Sequence, residues 1–187
     1  MDKFKVLQAL GAGDFQHLDG SLQSHLQGTE RILKEWGSGE LLQVAGLFHA
    51  AYGTDGFDES MVSLAQRNRI AELIGKEEEA LVYLYCACDR DFVFPQFGSD
   101  QPIQFRNRFT QQEFPLSEAD TILLCELTAA NELELAGRYP KFKARHGAGL
   151  LDLFKRMEPY LSDNAHNAYT SILADLNVPE SVPCLEV

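Results

Sequence analysis

The run from Glu40 to Tyr52 constrains the fold more than any other stretch of the chain. Its apolar residues, Leu41, Leu42, Val44, Ala45, Leu47, Phe48 and Tyr52, cover more than half of a helical wheel. A helix that apolar belongs in the middle of a domain rather than on its surface. It runs into Gly46-Leu47-Phe48-His49-Ala50-Ala51-Tyr52-Gly53-Thr54, where Gly53 suits the left-handed position that follows a helix. His49 is thereby carried inside, where an imidazole needs a hydrogen-bond partner or a ligand.

The segments on either side predict more helices. Leu22, Leu26, Ile32, Leu33 and Trp36 recur at the helical period, with His25 and Thr29 on the same inward face and Ser21 placed to cap. Gly37-Ser38-Gly39 ends that helix. Phe4 to Leu10 predicts a short helix, and Ser60 to Ile74 an amphipathic one stopped at Gly75. Glu77-Glu78-Glu79 reads as a solvated start for the helix through Cys88, because acids suit the positive end of the macrodipole. Asp89 continues its row of Val82, Tyr85 and Cys86, and so should emerge from a buried face.

Residues 92–115 change character. Pro95, Gly98, Pro102 and Pro115 break them up, and the alternation from Ile103 to Phe109 allows a short hairpin or a lid-like loop over a small aromatic core. Ser117 then caps a long helix to about Gly137, whose apolar stripe leaves Glu132 exposed on the simplest wheel. Gly137 to Gly147 reads as a basic loop, followed by helices over about 150–157 and 159–176. The expected architecture is an all-α single domain over residues 1–176 with a tail at 177–187.

Charge narrows the function classes. With 28 acidic against 16 basic residues, the net charge of −12 opposes binding to nucleic acid or to an anionic membrane, since the phosphates would repel it. The polar start and the absence of a long apolar run predict a cytoplasmic protein. Four cysteines, three of them in apolar helical contexts, predict free thiols rather than bridges.

His25-Leu26-Gln27-Gly28-Thr29, then Gly-Leu-Phe-His49-Ala-Ala-Tyr-Gly, then Cys88-Asp89-Arg90 form an ordered set that resembles the HD-domain superfamily. Members of that superfamily carry a histidine on one helix, a His-Asp pair at the end of the next and an aspartate on a later one. The resemblance spans roughly residues 15 to 135. It implies an HD-like helical bundle and a divalent metal (zinc, manganese or iron) held by His25, His49 and Asp89. His17 is a lesser candidate for a substitute ligand.

This chain departs from the pattern at Ala50, which stands where the aspartate of the His-Asp pair belongs. A methyl group coordinates nothing, so a two-metal centre is not expected. Two imidazoles and a carboxylate still make a sensible one-metal set. The resemblance therefore implies a one-metal hydrolase of a small phosphorylated or otherwise anionic substrate, steadied by arginines among Arg67, Arg69, Arg106 and Arg108, whose guanidinium forks match such groups. The alternative is a non-catalytic domain that keeps the fold and a pocket for a small ligand or a partner. An iron-dependent oxygenase is a third reading.

Overall fold

The computed structural model describes residues 16–17, 20–56 and 60–177; the helix expected over Phe4 to Leu10 and the tail beyond 177 lie outside them. The described residues form a helical bundle of eight α-helices with two short antiparallel ladders. The helices are α1 (Leu22–Glu35), α2 (Glu40–Phe48), α3 (Arg67–Ile74), α4 (Lys76–Ala87), α5 (Arg90–Val93), α6 (Glu118–Arg138), α7 (Pro140–Met157) and α8 (Asp163–Ile172). The strands are β1 (Gln16–His17) with β2 (Gly20–Ser21), and β3 (Gln104–Arg106) with β4 (Glu113–Pro115).

The bundle is built around α6. Every residue from Leu124 to Ala136 is buried, and α1, α2, α4, α7 and α8 all pack against this helix. Its start follows from Ser117, whose hydroxyl accepts the Asp120 amide proton at 3.1 Å. The helix pair α1 and α2 packs tightly beside it. Gly37, at φ 78°, turns the chain between them, and the Ser38 and Gly37 amides donate to the carbonyls of Leu33 and Lys34 at 3.0 Å each. That Schellman pattern satisfies two otherwise orphaned helix-end carbonyls.

Three elements differ from expectation. The third helix begins at Arg67 after a short 3-10 turn, not at Ser60, because Val62 leaves the helical path to dock its amide on the Ala51 carbonyl at 3.1 Å. The segment read as a basic loop is the first half of α7: Pro140 takes a first-turn position where its missing N–H costs nothing. The lysines and arginine that follow are good helix formers. The helix predicted over 159–176 breaks at Tyr160, and Ser162 restarts it by accepting the Ala165 amide proton at 3.1 Å.

The hairpin of β3 and β4 pairs Phe105 with Phe114 and is fastened to the end of α4. Arg108 N–H donates to the Ala87 carbonyl at 2.8 Å, and Asp89 N–H to that of Arg106 at 3.1 Å. Asn107 donates to the Tyr83 hydroxyl at 3.0 Å. This clamp fixes the direction in which the chain leaves α4, and with it the position of Arg90. No described helix is long and apolar enough to cross a membrane.

Candidate functional site

His25 leaves the buried face of α1 and His49 sits at the C-terminal cap of α2, each only 2% exposed. Their rings meet edge to face with centroids 5.1 Å apart, and His49 in turn meets the Tyr85 ring at 5.5 Å. The two histidines that the sequence singled out therefore share one interior point.

Hydrogen bonds set what each imidazole can do. His49 Nδ1 lies 2.7 Å from the Gly46 carbonyl and donates its proton there, so Nε2 is the basic nitrogen of the ring. His25 is held at both nitrogens: Nδ1 faces Glu134 Oε2 at 2.6 Å and Nε2 faces Asn131 Oδ1 at 2.9 Å. Asn131 is oriented by its own amide, which donates to Glu132 Oε1 at 2.9 Å, so its oxygen is the atom turned to His25. His25 Nε2 consequently carries a proton and donates it. Glu134 also accepts from Arg138 Nη1, at 3.3 Å.

Asp89 does not join the histidines. Its carboxylate caps α5, accepting the Phe92 amide proton at 3.2 Å, and lies 3.5 Å from Arg106 Nη1. The next residue turns inward instead. Arg90 donates from Nη1 to Glu132 Oε1 at 3.0 Å, from Nη2 to the Tyr85 hydroxyl at 2.9 Å, and from its amide to Asp55 Oδ2 at 2.9 Å. Burial pulls the Arg90 pKa down, but neighbouring Tyr85, Glu132, Cys88 and Asp55 more than reverse this and hold it above the ordinary arginine value. Burial is also the main cause that raises the Tyr85 phenol.

These groups form the polar floor of a cavity of about 490 Å³. His25, His49, Asn131, Glu132, Arg90 and Asp55 are among the polar residues that line it. Leu22, Phe94, Leu135, Phe142, Leu150 and Leu153 supply its apolar lining, and Ala50 lines it as well. His146, its ring tilted against that of Phe142 with centroids 4.7 Å apart, and Gly149 line the cavity from α7. A Cβ at Gly149 would meet nothing within 4 Å, so this helical glycine leaves the wall of the cavity open.

The donor set implied for a metal does not fit as it is arranged. One nitrogen of His25 donates to an amide oxygen and the other faces a carboxylate, Asp89 is a helix cap, and Ala50 offers a methyl. Among the described residues, no group of three or more His, Cys, Asp or Glu side chains is placed to hold a metal ion. The side chain of His17 lies outside the described residues.

The arginines expected to steady an anionic substrate stand elsewhere, and none of them lines the cavity. Arg67 grips Glu79 with two bonds of 2.6 and 2.9 Å and lies 3.5 Å above the Tyr83 ring. Glu79, read as part of a solvated helix start, is buried and also accepts from the Tyr52 hydroxyl at 2.9 Å. Burial, followed by Glu79, raises the Tyr52 phenol well above its usual range. Arg69 is exposed on α3. Arg106 bonds Glu113 at 2.8 Å, and Arg108 donates to the Cys86 carbonyl at 2.7 Å.

Arg90, Asn131, Glu132 and Glu134 are the residues that sequence reasoning left without chemistry. The signal available was Asn131, Glu132 and Glu134 spaced closely among the apolar residues Ala129, Ala130, Leu133, Leu135 and Ala136, a pattern that a surrounded stretch of helix tolerates only when the polar groups find partners.

A family model described as a domain of unknown function (DUF6817) is similar to residues 6–90, a little under half of the chain. That match includes His25, His49, Asp55 and Arg90 and ends before the α6 and α7 residues that complete the cavity. No curated protein and no solved structure matches the chain.

Proposed function

We propose that this chain is a non-catalytic small-molecule-binding domain on an HD-like scaffold, in which a hydrogen-bonded organic floor stands where the superfamily would hold metal. The observation that carries the reading is the cavity of about 490 Å³, lined by the hydrogen-bonded His25–Asn131–Glu132–Arg90 chain together with apolar side chains. Cavities that hold small organic ligands share this volume, a mostly apolar lining and a few fixed polar groups. Three buried free thiols, Cys86, Cys88 and Cys125, support a reducing, cytoplasmic setting.

Native mass spectrometry of gently purified protein tests the reading. A bound organic molecule, lost when Gly149 is replaced by Phe, is expected. Identical adducts on the wild type and on Gly149→Phe would contradict it.

The pairing of two imidazoles at 5.1 Å favours one alternative, a one-metal hydrolase. That reading requires His25 Nε2 to leave Asn131, while Nδ1 keeps Glu134 as metal-bound imidazoles keep a carboxylate on the other nitrogen. It predicts stoichiometric zinc, manganese or iron that His49→Ala abolishes.

A further inference from the structure

We infer that the ligand of this cavity is a small organic cation, an ammonium group on an apolar body, with Asp55 as its counter-charge. The inference rests on the binding reading above and adds the chemical class of the ligand. Two carboxylates, Asp55 and Glu132, line the cavity together with one guanidinium, that of Arg90. Glu132 takes the guanidinium: Arg90 Nη1 donates to it at 3.0 Å, while Nη2 goes to the Tyr85 hydroxyl. Asp55 is bonded by no cation among the described residues. Its Oδ2 accepts the neutral backbone amide of Arg90 at 2.9 Å, and no described donor reaches its Oδ1. Glu132 accordingly lifts the Arg90 pKa more than Asp55 does.

Three histidines also line the cavity. His25 faces Glu134 Oε2 at 2.6 Å, so a positive charge on its ring is met by that carboxylate. His49 gives its Nδ1 proton to the Gly46 carbonyl, and His146 sets its ring against Phe142. In mildly alkaline solution an ordinary imidazole is uncharged, so the balance of Asp55, Glu132 and Arg90 stays negative there.

Thr54, the residue before Asp55, adds a second acceptor. It is buried and lines the cavity, and among the described residues its hydroxyl has no hydrogen-bond partner. An ammonium carries three N–H donors and no acceptor, which suits a carboxylate and a hydroxyl together. Phe94, Phe142, Leu150 and Leu153 offer apolar contact to the rest of the molecule. The net charge of −12 draws cations toward the protein and opposes anions.

The probes are 2-naphthylmethylammonium, 2-naphthylmethanol and 2-naphthoate, which share one ring system and differ in charge. Calorimetry at about pH 8, where an ordinary imidazole is uncharged, measures their binding to wild type, Asp55→Asn and Phe142→Ala. Circular dichroism checks the fold of all three proteins. Asp55→Asn removes the charge and keeps an oxygen for the Arg90 amide, and Phe142→Ala strips one aromatic ring from the lining. The ammonium is expected to bind the wild type at least about tenfold more tightly than the alcohol, with naphthoate weakest. Asp55→Asn should erase that preference, whereas Phe142→Ala should weaken ammonium and alcohol alike. If the alcohol or naphthoate binds the wild type as tightly as the ammonium, and Phe142→Ala weakens it, the cation assignment is overturned while the cavity reading stands. That comparison needs only the wild type and the lining variant. A preference for the ammonium that survives in folded Asp55→Asn overturns the assignment of Asp55 as counter-charge. If no probe binds in a way that Phe142→Ala weakens, both the assignment and the cavity reading fall.

Discussion

His25 and Glu134 meet at 2.6 Å, both buried, across the seam between α1 and α6 and 109 residues apart in sequence. The approach depends on Gly28, one turn further along α1. A Cβ there would lie 2.5 Å from Glu134 Oε1. Replacing Gly28 by Ala normally strengthens a helix, but here it must push the carboxylate off His25. The expected result is a loss of about 1–3 kcal/mol, the usual cost of leaving a buried polar group unsatisfied. For a chain of this length that lowers Tm by roughly 3–10 °C. An unchanged or higher Tm in a thermal melt would show that the contact contributes nothing.

Arg90 and Glu132 form the inner ion pair of the cavity floor, joined at 3.0 Å and 42 positions apart in sequence. Arg90→Met leaves Glu132 buried and charged, so a loss of about 3 kcal/mol is expected. Adding Glu132→Gln removes the orphaned charge, and the double variant should recover part of that loss. Urea denaturation of both single variants and the double variant measures the coupling. Additive losses would mean that the two side chains do not act as a pair.

Arg67 separates a structural role from a substrate-binding one. It bonds buried Glu79 and covers the Tyr83 ring, away from the cavity. Arg67→Ala should lower stability by about 2 kcal/mol, less than for a fully buried pair because the arginine is partly solvated. It should leave the molecule bound in the cavity, read by native mass spectrometry, in place. Loss of that bound molecule from a folded Arg67→Ala protein would return this residue to the site.

Alkaline pH should destabilise the fold through the thiols. Burial is the main cause that pushes Cys86 and Cys88 up to about 12 from an ordinary value near 9. Between those values the unfolded chain has released protons that the folded one keeps. Stability from these groups is therefore complete below pH 9 and falls as pH rises toward 12. Two such thiols give a slope of up to about 2.7 kcal/mol per pH unit. Urea midpoints at pH 8, 9.5 and 10.5 check this, and a flat profile across that window would count against the buried placement of both cysteines.

The helical class of the fold was legible in the sequence because period and caps agree in several places. The face carrying His25 and the Ser117 cap follow from local chemistry, and the hairpin within 92–115 was foreseen as one of two options for that segment. The rest of the site was not legible, for a physical reason. A helical wheel assumes that one side of the helix faces water, whereas α6 is enclosed on all sides from Leu124 to Ala136, so Glu132 is buried against a guanidinium that arrives from α5. The same limit applies to Glu79, whose partner Arg67 comes from another helix. Asp89 and Arg90 are adjacent, and only the clamp of the β3–β4 hairpin on the end of α4 decides which of them turns toward the histidines. The basic stretch after Gly137 was misread because charge and proline suggest a loop, although Pro140 is well suited to begin a helix.

Elemental analysis bears most directly on whether the floor around His25 and His49 is organic rather than metallic. Protein purified without chelator, then reloaded with zinc, manganese or ferrous iron and desalted, is predicted to retain far less than one equivalent of any metal and to show no difference between wild type and His49→Ala. One equivalent held by the wild type and lost in His49→Ala would contradict the account.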